Sequence, residues 1–279
     1  MKLLLRIMVV AMMMMGTQAA HAQKVGVSLA GGAALGYAHL GFLQAMDEAG
    51  IKPDCLVGTS MGAIIGMLYA AGNSPEDILQ FIKDEEMDRL TGVVLFSWHK
   101  KGGLISTNHI QKTLLKYVPH NSFDSLKCSF YCCSFNMDSL KPVYKGSGGD
   151  LVKYVMASSA VPVVFSPVWI DSCPHVDGGI YDNMPIQPLL DEHCDIRIGS
   201  LLLLEKPQPK RDVVSLWLRS LFSIPALNSF QHADLFTDVI KIDPQDYWLL
   251  DFKYVDELYQ IGYEAGKEYF STHDIGSGK

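Results

Sequence analysis

The feature that most constrains this chain is a serine between two glycines, Gly58-Thr59-Ser60-Met61-Gly62. The short apolar run Cys55–Val57 precedes it, and an apolar stretch with helical spacing follows it to Ala71. A strand that turns at once into a helix needs glycines, because they accept backbone angles and close contacts that other residues avoid. The serine hydroxyl then stands clear of the backbone, beside the amino end of a helix that favours negative charge. An ordinary glycine turn is the alternative, but the position between strand and helix favours a nucleophile elbow with Ser60 as the nucleophile.

The same order of strand, glycine-rich turn and helix occurs once before this elbow. Val25–Ala30 is a short apolar run, Gly31-Gly32-Ala33-Ala34-Leu35-Gly36 follows directly, and apolar residues recur at helical spacing from Tyr37 to Met46. Two consecutive units of this kind are the beginning of a parallel α/β sheet. Ile198–Leu204 is an uncharged, mostly apolar run typical of a buried parallel strand. Since no internal repeat divides the chain, we predict one α/β domain with a mainly parallel sheet.

The glycine-rich turn at residues 31–36 offers backbone N–H groups that no helical carbonyl uses. Such a turn can hold the oxyanion of a tetrahedral intermediate, or the phosphate of a dinucleotide. The dinucleotide fingerprint G-x-G-x-x-G is broken at Ala33, and no acidic residue closes a second strand at the usual offset. No histidine and cysteine spacing resembles a zinc site. The turn therefore favours oxyanion binding, and neither a cofactor nor a metal is implied.

A serine nucleophile needs a base, and two groups compete for that role. Asp177-Gly178-Gly179 follows an apolar run, although an acid before two glycines is by itself usually a plain turn. His175 lies two residues earlier and is the only histidine in a serious competing position. The residues alone leave a Ser–Asp pair and a Ser–His–Asp triad both open.

Four motifs occur together in the order seen in bacterial patatin-like phospholipases, and the resemblance covers most of the chain after residue 22. They are Ala30–Leu43, Gly58–Gly62, Ala157-Ser158-Ser159-Ala160-Val161-Pro162, and Asp177-Gly178-Gly179 with Asn183-Met184-Pro185. The resemblance implies a three-layer α/β/α fold and a Ser–Asp dyad without histidine. Ser60 would be its nucleophile and Asp177 its proton acceptor. The N–H groups of Gly31, Gly32 and Ala33 would form the oxyanion hole.

Two residues depart from the pattern of that family. Ala33 stands where a third glycine is usual, and Leu35 stands where lysine or arginine is usual. Ala33 still supplies an N–H group, but its Cβ disfavours left-handed backbone angles. Leu35 removes a positive charge near the oxyanion loop. Both departures bear on the substrate headgroup and the rate, and neither removes the dyad.

Residues 1–22 have the layout of a secretory signal peptide, with a buried N-terminal helix as the alternative. Lys2 and Arg6 are followed by the uncharged apolar run Ile7–Met15 and by Ala20-His21-Ala22. The run is shorter than the roughly 20 residues that cross a bilayer. We therefore expect residues 23–279 to form an exported acyl hydrolase domain that is periplasmic, associated with the outer membrane or secreted.

The charge of the chain limits its partners. The formal net charge is −7, and loss of Lys2 and Arg6 makes the mature chain more acidic. An acidic protein is a poor candidate for binding nucleic acid or for electrostatic docking on anionic lipid. Any transient contact with a membrane surface should therefore be apolar. The apolar segment Val213–Ile224 is compatible with a lid that meets lipid and with a core helix.

These observations predict a serine acyl hydrolase that cleaves fatty-acyl esters of phospholipids or related lipids. One alternative is a Ser–His–Asp esterase of the α/β-hydrolase type. The elbow of that fold normally follows several strands, whereas only about two precede Ser60. The other alternative is a catalytically weak lipid-binding protein that keeps the same fold, with its site weakened at Ala33 and Leu35.

Overall fold

The protein is described here by a computed structural model. It describes residues 23–85, 108–118, 120–162, 164–203, 216–217, 220, 232–244, 246–273 and 275. The predicted signal peptide at 1–22 lies outside these residues, and so does most of the apolar segment 213–224.

Strands and helices alternate along the described part of the chain. The strands are β1 (Val25–Leu29), β2 (Cys55–Thr59), β3 (Ser129–Asn136), β4 (Lys141–Lys145), β5 (Val168–Ile170), β6 (Cys173–Asp177), β7 (Ile196–Leu202) and β8 (Asp238–Ile242). The α-helices are α1 (Ala38–Glu48), α2 (Met61–Ala70), α3 (Pro75–Asp84), α4 (Asn108–Tyr117), α5 (Leu151–Ser158), α6 (Gln187–Asp191) and α7 (Val255–Thr272). Short 3₁₀ turns occur at Ala33–Tyr37, Phe123–Ser125, Gly178–Ile180 and Ala233–Leu235.

The strands form one mixed sheet with helices on both faces. Strands β3, β2, β1, β7 and β8 are neighbours in that order and pair in parallel. Strands β4 and β6 pair antiparallel with β3, and β5 pairs antiparallel with β6. The larger apolar core contains side chains of α1, α2 and α7, and a smaller core beneath α6 covers the opposite face of β2. The predicted three-layer α/β/α architecture is confirmed, with antiparallel strands added at one side.

Two strands share one edge of β3. Strand β2 pairs with the first part of β3 and ends where Thr59 lies opposite Cys133. Strand β6 approaches from the other direction and ends where Asp177 lies opposite Ser134, the next residue of β3. Strand β4 pairs with both parts and therefore covers the other edge. Because β6 already occupies the position beyond Thr59, the chain leaves the sheet at Ser60.

Helices α1 and α7 cross closely because glycines line the crossing point. A Cβ atom at Gly262 would lie 1.7 Å from the carbonyl oxygen of Ala38. One at Gly41 would lie 1.9 Å from the carbonyl oxygen of Tyr259. No side chain fits at these distances, so the two backbones are in direct contact.

Across the described ranges, no helix combines the length and the apolar character needed to cross a membrane.

Candidate active site

Ser60 occupies a sharp turn between β2 and α2. Its backbone angles are φ 55° and ψ −122°, a conformation that residues with a side chain rarely adopt. A Cβ atom at Gly58 would lie 2.4 Å from the carbonyl oxygen of Gly62, and one at Gly62 would lie 2.3 Å from that of Leu29. Both flanking glycines are therefore required by close packing. The turn has the strand-to-helix geometry of a nucleophile elbow.

Asp177 ends β6 beside this turn, and its side chain is fully buried. Its Oδ1 accepts a hydrogen bond of 2.8 Å from the Gly179 N–H. Burial raises the pKa of this carboxyl to about 7, although the Ser60 hydroxyl and the Gly179 N–H partly oppose the rise. Among the described residues, no donor meets its Oδ2 with the geometry of a hydrogen bond. Asp177 is therefore a carboxyl of raised proton affinity that faces Ser60 and keeps an oxygen available.

Gly178 lets the chain turn away behind Asp177. A Cβ atom at Gly178 would lie 2.3 Å from the carbonyl oxygen of Cys133. The Asp177 N–H donates to the carbonyl of Ala160, at 2.9 Å, which ties β6 to the chain that follows α5. These contacts fix where the carboxyl stands relative to β3.

His175, the competing base, is engaged elsewhere. The Asn136 Oδ1 accepts the N–H groups of Asp138 and Ser139, so its Nδ2 donates to His175 Nε2 at 3.2 Å. The proton of the ring then sits on Nδ1, which donates to Ser134 Oγ at 3.0 Å. Burial lowers the pKa of His175, in keeping with a neutral ring. Both ring nitrogens thus contact residues of β3.

The glycine-rich turn lies directly against Ser60. A Cβ atom at Gly31 would lie 3.2 Å from the Ser60 Cβ. The Gly31 N–H donates to the carbonyl of Asn183 at 3.1 Å, so it is already used. In the described part of the chain, the N–H groups of Gly32 and Ala33 have no acceptor. Of the three donors predicted for the oxyanion hole, two are therefore available and Gly31 is not.

Ala33 and Leu35, the two residues that depart from the family pattern, both lie in this turn. Ala33 has φ 48°, the left-handed conformation that its Cβ disfavours. Leu35 is completely buried in the main core, so no charged side chain occupies that position. Gly36 packs on the nucleophile elbow, since a Cβ atom there would lie 2.5 Å from the Cγ of Met61.

The His39 side chain links the glycine-rich turn to the sheet through two hydrogen bonds. Its Nε2 donates to the carbonyl of Ala30 at 2.8 Å, which leaves Nδ1 to accept the Ser200 hydroxyl at 2.9 Å. The ring is completely buried, and burial lowers its pKa to about 4. His39 is therefore neutral and joins the start of the glycine-rich turn to β7.

The sequence did not assign roles to the residues that hold these pieces together. The Ser60 N–H donates to Ser158 Oγ at 3.0 Å. The Thr59 hydroxyl donates to the carbonyl of Asp182 at 3.1 Å, and the Asn183 Nδ2 donates to that of Gly31 at 3.2 Å. Ser158 and Asn183 belong to two of the four motifs quoted for the resemblance. That membership was the available signal, but only the folded structure reveals their partners.

Comparison with known proteins gives a consistent result. The sequence profile described as "Patatin-like phospholipase" matches residues 27–190, a range that contains both Ser60 and Asp177.

Curated relatives share a similar level of identity along most of the chain. Lysophospholipase NTE1 of Kluyveromyces lactis is 26% identical over 283 residues, covering 88% of this chain and 19% of the relative. Lysophospholipase nte1 of Emericella nidulans is 28% identical over 277 residues, covering 88% and 18%. The chain thus spans less than a fifth of the length of these relatives. Both are fungal, so they give no support to the narrower expectation of a bacterial group.

A solved structure resembles the fold. The crystal structure of VipD from Legionella pneumophila aligns with a TM-score of 0.53 and 14% identity, covering 90% of this chain and 67% of that one. At this identity the likeness concerns the fold alone.

Proposed function

Because the chain belongs to the patatin-like phospholipase family, we propose that it is a serine acyl hydrolase for fatty-acyl esters of lipids. The observation that carries the proposal is the meeting of β2 and β6 on one edge of β3, which brings Ser60 and Asp177 together. A strained serine, a buried carboxyl of raised pKa and two unused N–H groups are the parts that ester hydrolysis requires.

In the proposed mechanism, Asp177 accepts the proton of Ser60 as the serine oxygen attacks the ester carbonyl. The N–H groups of Gly32 and Ala33 stabilise the negative oxygen of the tetrahedral intermediate. Asp177 then returns the proton to the leaving alcohol, and an acyl-enzyme remains. Water attacks this ester, giving its proton to Asp177, and Ser60 recovers its hydroxyl as the fatty acid departs. The residues named supply every proton transfer in the cycle.

The substrate class follows from the family and the charge of the chain. Two curated relatives are named lysophospholipases, which supports an ester of a lysophospholipid or phospholipid. With a formal net charge of −7, the protein should meet a lipid surface through apolar contacts, not through attraction to anionic headgroups.

Export remains part of the proposal, supported by the signal-peptide pattern of residues 1–22. A bacterial affiliation also remains a proposal, supported only by the order of the four sequence motifs. We expect a mature N-terminus at or near Gln23. Intact-mass measurement on protein exported by its native host tests this, and a mature chain that still carries residues 1–22 would contradict it.

The dyad is tested by three substitutions. Ser60→Ala should abolish both ester hydrolysis and labelling by a fluorophosphonate probe while the circular dichroism spectrum stays unchanged. Asp177→Asn should lower kcat by a factor of about 10³ or more, because the serine loses its base. His175→Ala should retain most activity, since its ring contacts Ser134 and Asn136.

With the pKa of Asp177 at about 7, kcat/KM of the wild type should rise with pH and level off above neutrality.

Two outcomes would favour the alternatives. If His175→Ala is as inactive as Ser60→Ala while Asp177→Asn still turns over, the histidine triad is correct. If the folded wild type neither reacts with the probe nor hydrolyses lysophospholipid, phospholipid or short-chain esters, the protein is a lipid-binding member of the fold.

A further inference from the structure

Asn183 holds Gly31 at two points. Its backbone carbonyl accepts the Gly31 N–H at 3.1 Å, and its side-chain Nδ2 donates to the Gly31 carbonyl at 3.2 Å. The two bonds together fix both polar groups of one residue in the glycine-rich turn. Substitution of Asn183 removes only the hydrogen bond from its Nδ2, because the backbone carbonyl that accepts the Gly31 N–H stays in place.

The Gly31 carbonyl and the Gly32 N–H belong to the same peptide group. This group is planar and trans, so its C=O and its N–H point in opposite directions. When Nδ2 of Asn183 holds the carbonyl oxygen, it therefore also sets the direction of the Gly32 N–H. That N–H is one of the two that have no acceptor among the described residues.

The surroundings make this control effective. Glycine has no side chain to restrict its backbone angles, so the Gly31–Gly32 peptide would otherwise rotate more freely than most. Asn183 itself is 3% exposed, and buried hydrogen bonds of this kind are not replaced readily by water. Its Oδ1 lies where a Cβ of Gly31 would come within 2.7 Å, and it packs against the same residue. The Asn183 side chain is therefore packed tightly against Gly31 in the glycine-rich turn.

We propose that Asn183 is a positioning residue that aims the Gly32 N–H at the oxyanion through its bond to the Gly31 carbonyl. The inference rests on the proposed acyl hydrolase function, and it concerns the stage at which negative charge develops on the substrate oxygen. Loss of one oxyanion donor lowers kcat by about 10²–10³ in serine hydrolases. A donor that is present but no longer aimed should lose part of that, so we expect about a 10- to 100-fold fall in kcat.

The test compares Asn183→Ala and Asn183→Asp with the wild type. Asn183→Ala removes the side-chain donor. Asn183→Asp keeps the size of the side chain but places an oxygen against the Gly31 carbonyl, which should turn the peptide away. Each variant is assayed for kcat, KM, the pH dependence of kcat/KM and inhibition by a trifluoromethyl ketone that mimics the tetrahedral intermediate. Thermal unfolding followed by circular dichroism shows that each variant is folded.

The matched control is Asn73→Ala, which removes a similar bond far from the site. The Asn73 Nδ2 donates to the carbonyl of Leu68 at 2.7 Å, beyond the end of α2. For both Asn183 variants we expect a lower kcat and weaker binding of the ketone. For Asn183→Ala, which adds no charge, KM and the apparent pKa near 7 should be unchanged because Asp177 is untouched. For Asn73→Ala we expect a comparable loss of thermal stability with the kcat of the wild type.

Three results would overturn the inference. The first is wild-type kcat in folded Asn183→Asp, which applies even if Asn183→Ala does not fold. The second is an equal fall in kcat in Asn73→Ala, which would make the effect one of general stability. The third is a wild type without any esterase activity, which removes the proposed function and this inference together, and it is recognised because Ser60→Ala then changes nothing.

Discussion

Ala33 carries an identifiable backbone strain in the glycine-rich turn. Its φ of 48° places a residue with a Cβ in a conformation that costs it about 1–2 kcal/mol. Glycine would avoid that cost but would gain about 0.4–1 kcal/mol of freedom in the unfolded chain. We therefore expect Ala33→Gly to raise the free energy of unfolding by about 0.5–1 kcal/mol, measured by urea denaturation.

The neighbouring Ala34 provides the control for this prediction. It lies in the same 3₁₀ turn, is more deeply buried than Ala33 and is not among the residues with positive φ. Ala34→Gly should therefore lower stability. If both substitutions change the free energy of unfolding in the same direction, the strain at Ala33 is not the cause.

At this scale the sequence predicted residue types better than their contacts. The Ser60 elbow and the unusual Ala33 were both evident from the order of glycines around them. That the Gly31 N–H is consumed by Asn183 was not predictable, because the two residues are distant in the chain and meet only after β6 has paired with β3. The hydroxyl of Ser158 was missed for the same reason.

At the scale of the elements, the crossing of α1 and α7 predicts whether a glycine-to-alanine substitution raises or lowers the free energy of unfolding. In an isolated helix, replacing glycine by alanine is favourable by about 1 kcal/mol. At Gly262 the added methyl group would lie 1.7 Å from the Ala38 carbonyl oxygen, so the helices must separate. Overpacking of this kind costs about 1–3 kcal/mol, and the gain in helix propensity offsets about 1 kcal/mol of it, so we expect Gly262→Ala to be destabilising by up to about 2 kcal/mol in urea denaturation.

Gly266→Ala is a graded comparison on the same helix. There the added methyl group would lie 2.9 Å from the Ala45 Cβ and 3.2 Å from backbone atoms of Phe42, which is a less severe overlap than at Gly262. A smaller loss of stability is expected. Unchanged or increased stability in Gly262→Ala would mean that the helices do not cross as described.

The sequence located most elements because their signals are local. Ser74 caps the start of α3: its Oγ accepts the Asp77 N–H at 3.1 Å, while the Asp77 side chain accepts the Ser74 N–H at 3.2 Å. Within the stretch Val164–Ile170, only Val168–Ile170 forms a strand. Pro167 supplies no N–H for pairing, and the N–H groups of Val164 and Phe165 instead donate to Val161 in a turn. The placement of β6 on the same edge of β3 as β2 depends on long-range pairing and has no local signal.

For the molecule as a whole, two buried groups give the stability opposite pH dependences. The pKa of His39 falls from its usual 6.5 to about 4 on folding, so between these values the unfolded chain binds the extra proton and stability rises with pH. The pKa of Asp177 rises from its usual 3.8 to about 7, so the native protein binds the extra proton and stability falls with rising pH. Between about pH 4 and 6.5 the two effects largely cancel.

Removing Asp177 should isolate its own contribution to the pH dependence of stability. In Asp177→Asn, the free energy of unfolding relative to the wild type should increase with pH between about 4 and 7, by at most about 1.4 kcal/mol per pH unit. Urea denaturation of both proteins at several pH values gives this difference directly, and other titrating groups cancel in it. A difference that stays constant over the range would show that the Asp177 carboxyl titrates normally.

The two strands that share one edge of β3 come from different parts of the chain, and each ends at or next to one residue of the dyad. The serine arrives with β2 from the amino-terminal part, while the carboxylate arrives with β6 from the part after the Gly146-Ser147-Gly148-Gly149 loop. A chain cut in that loop would carry half of the dyad on each fragment, and only reassembly along β3 would restore ester cleavage. In such a pair of fragments, restored ester cleavage would measure the docking of one fragment on the other.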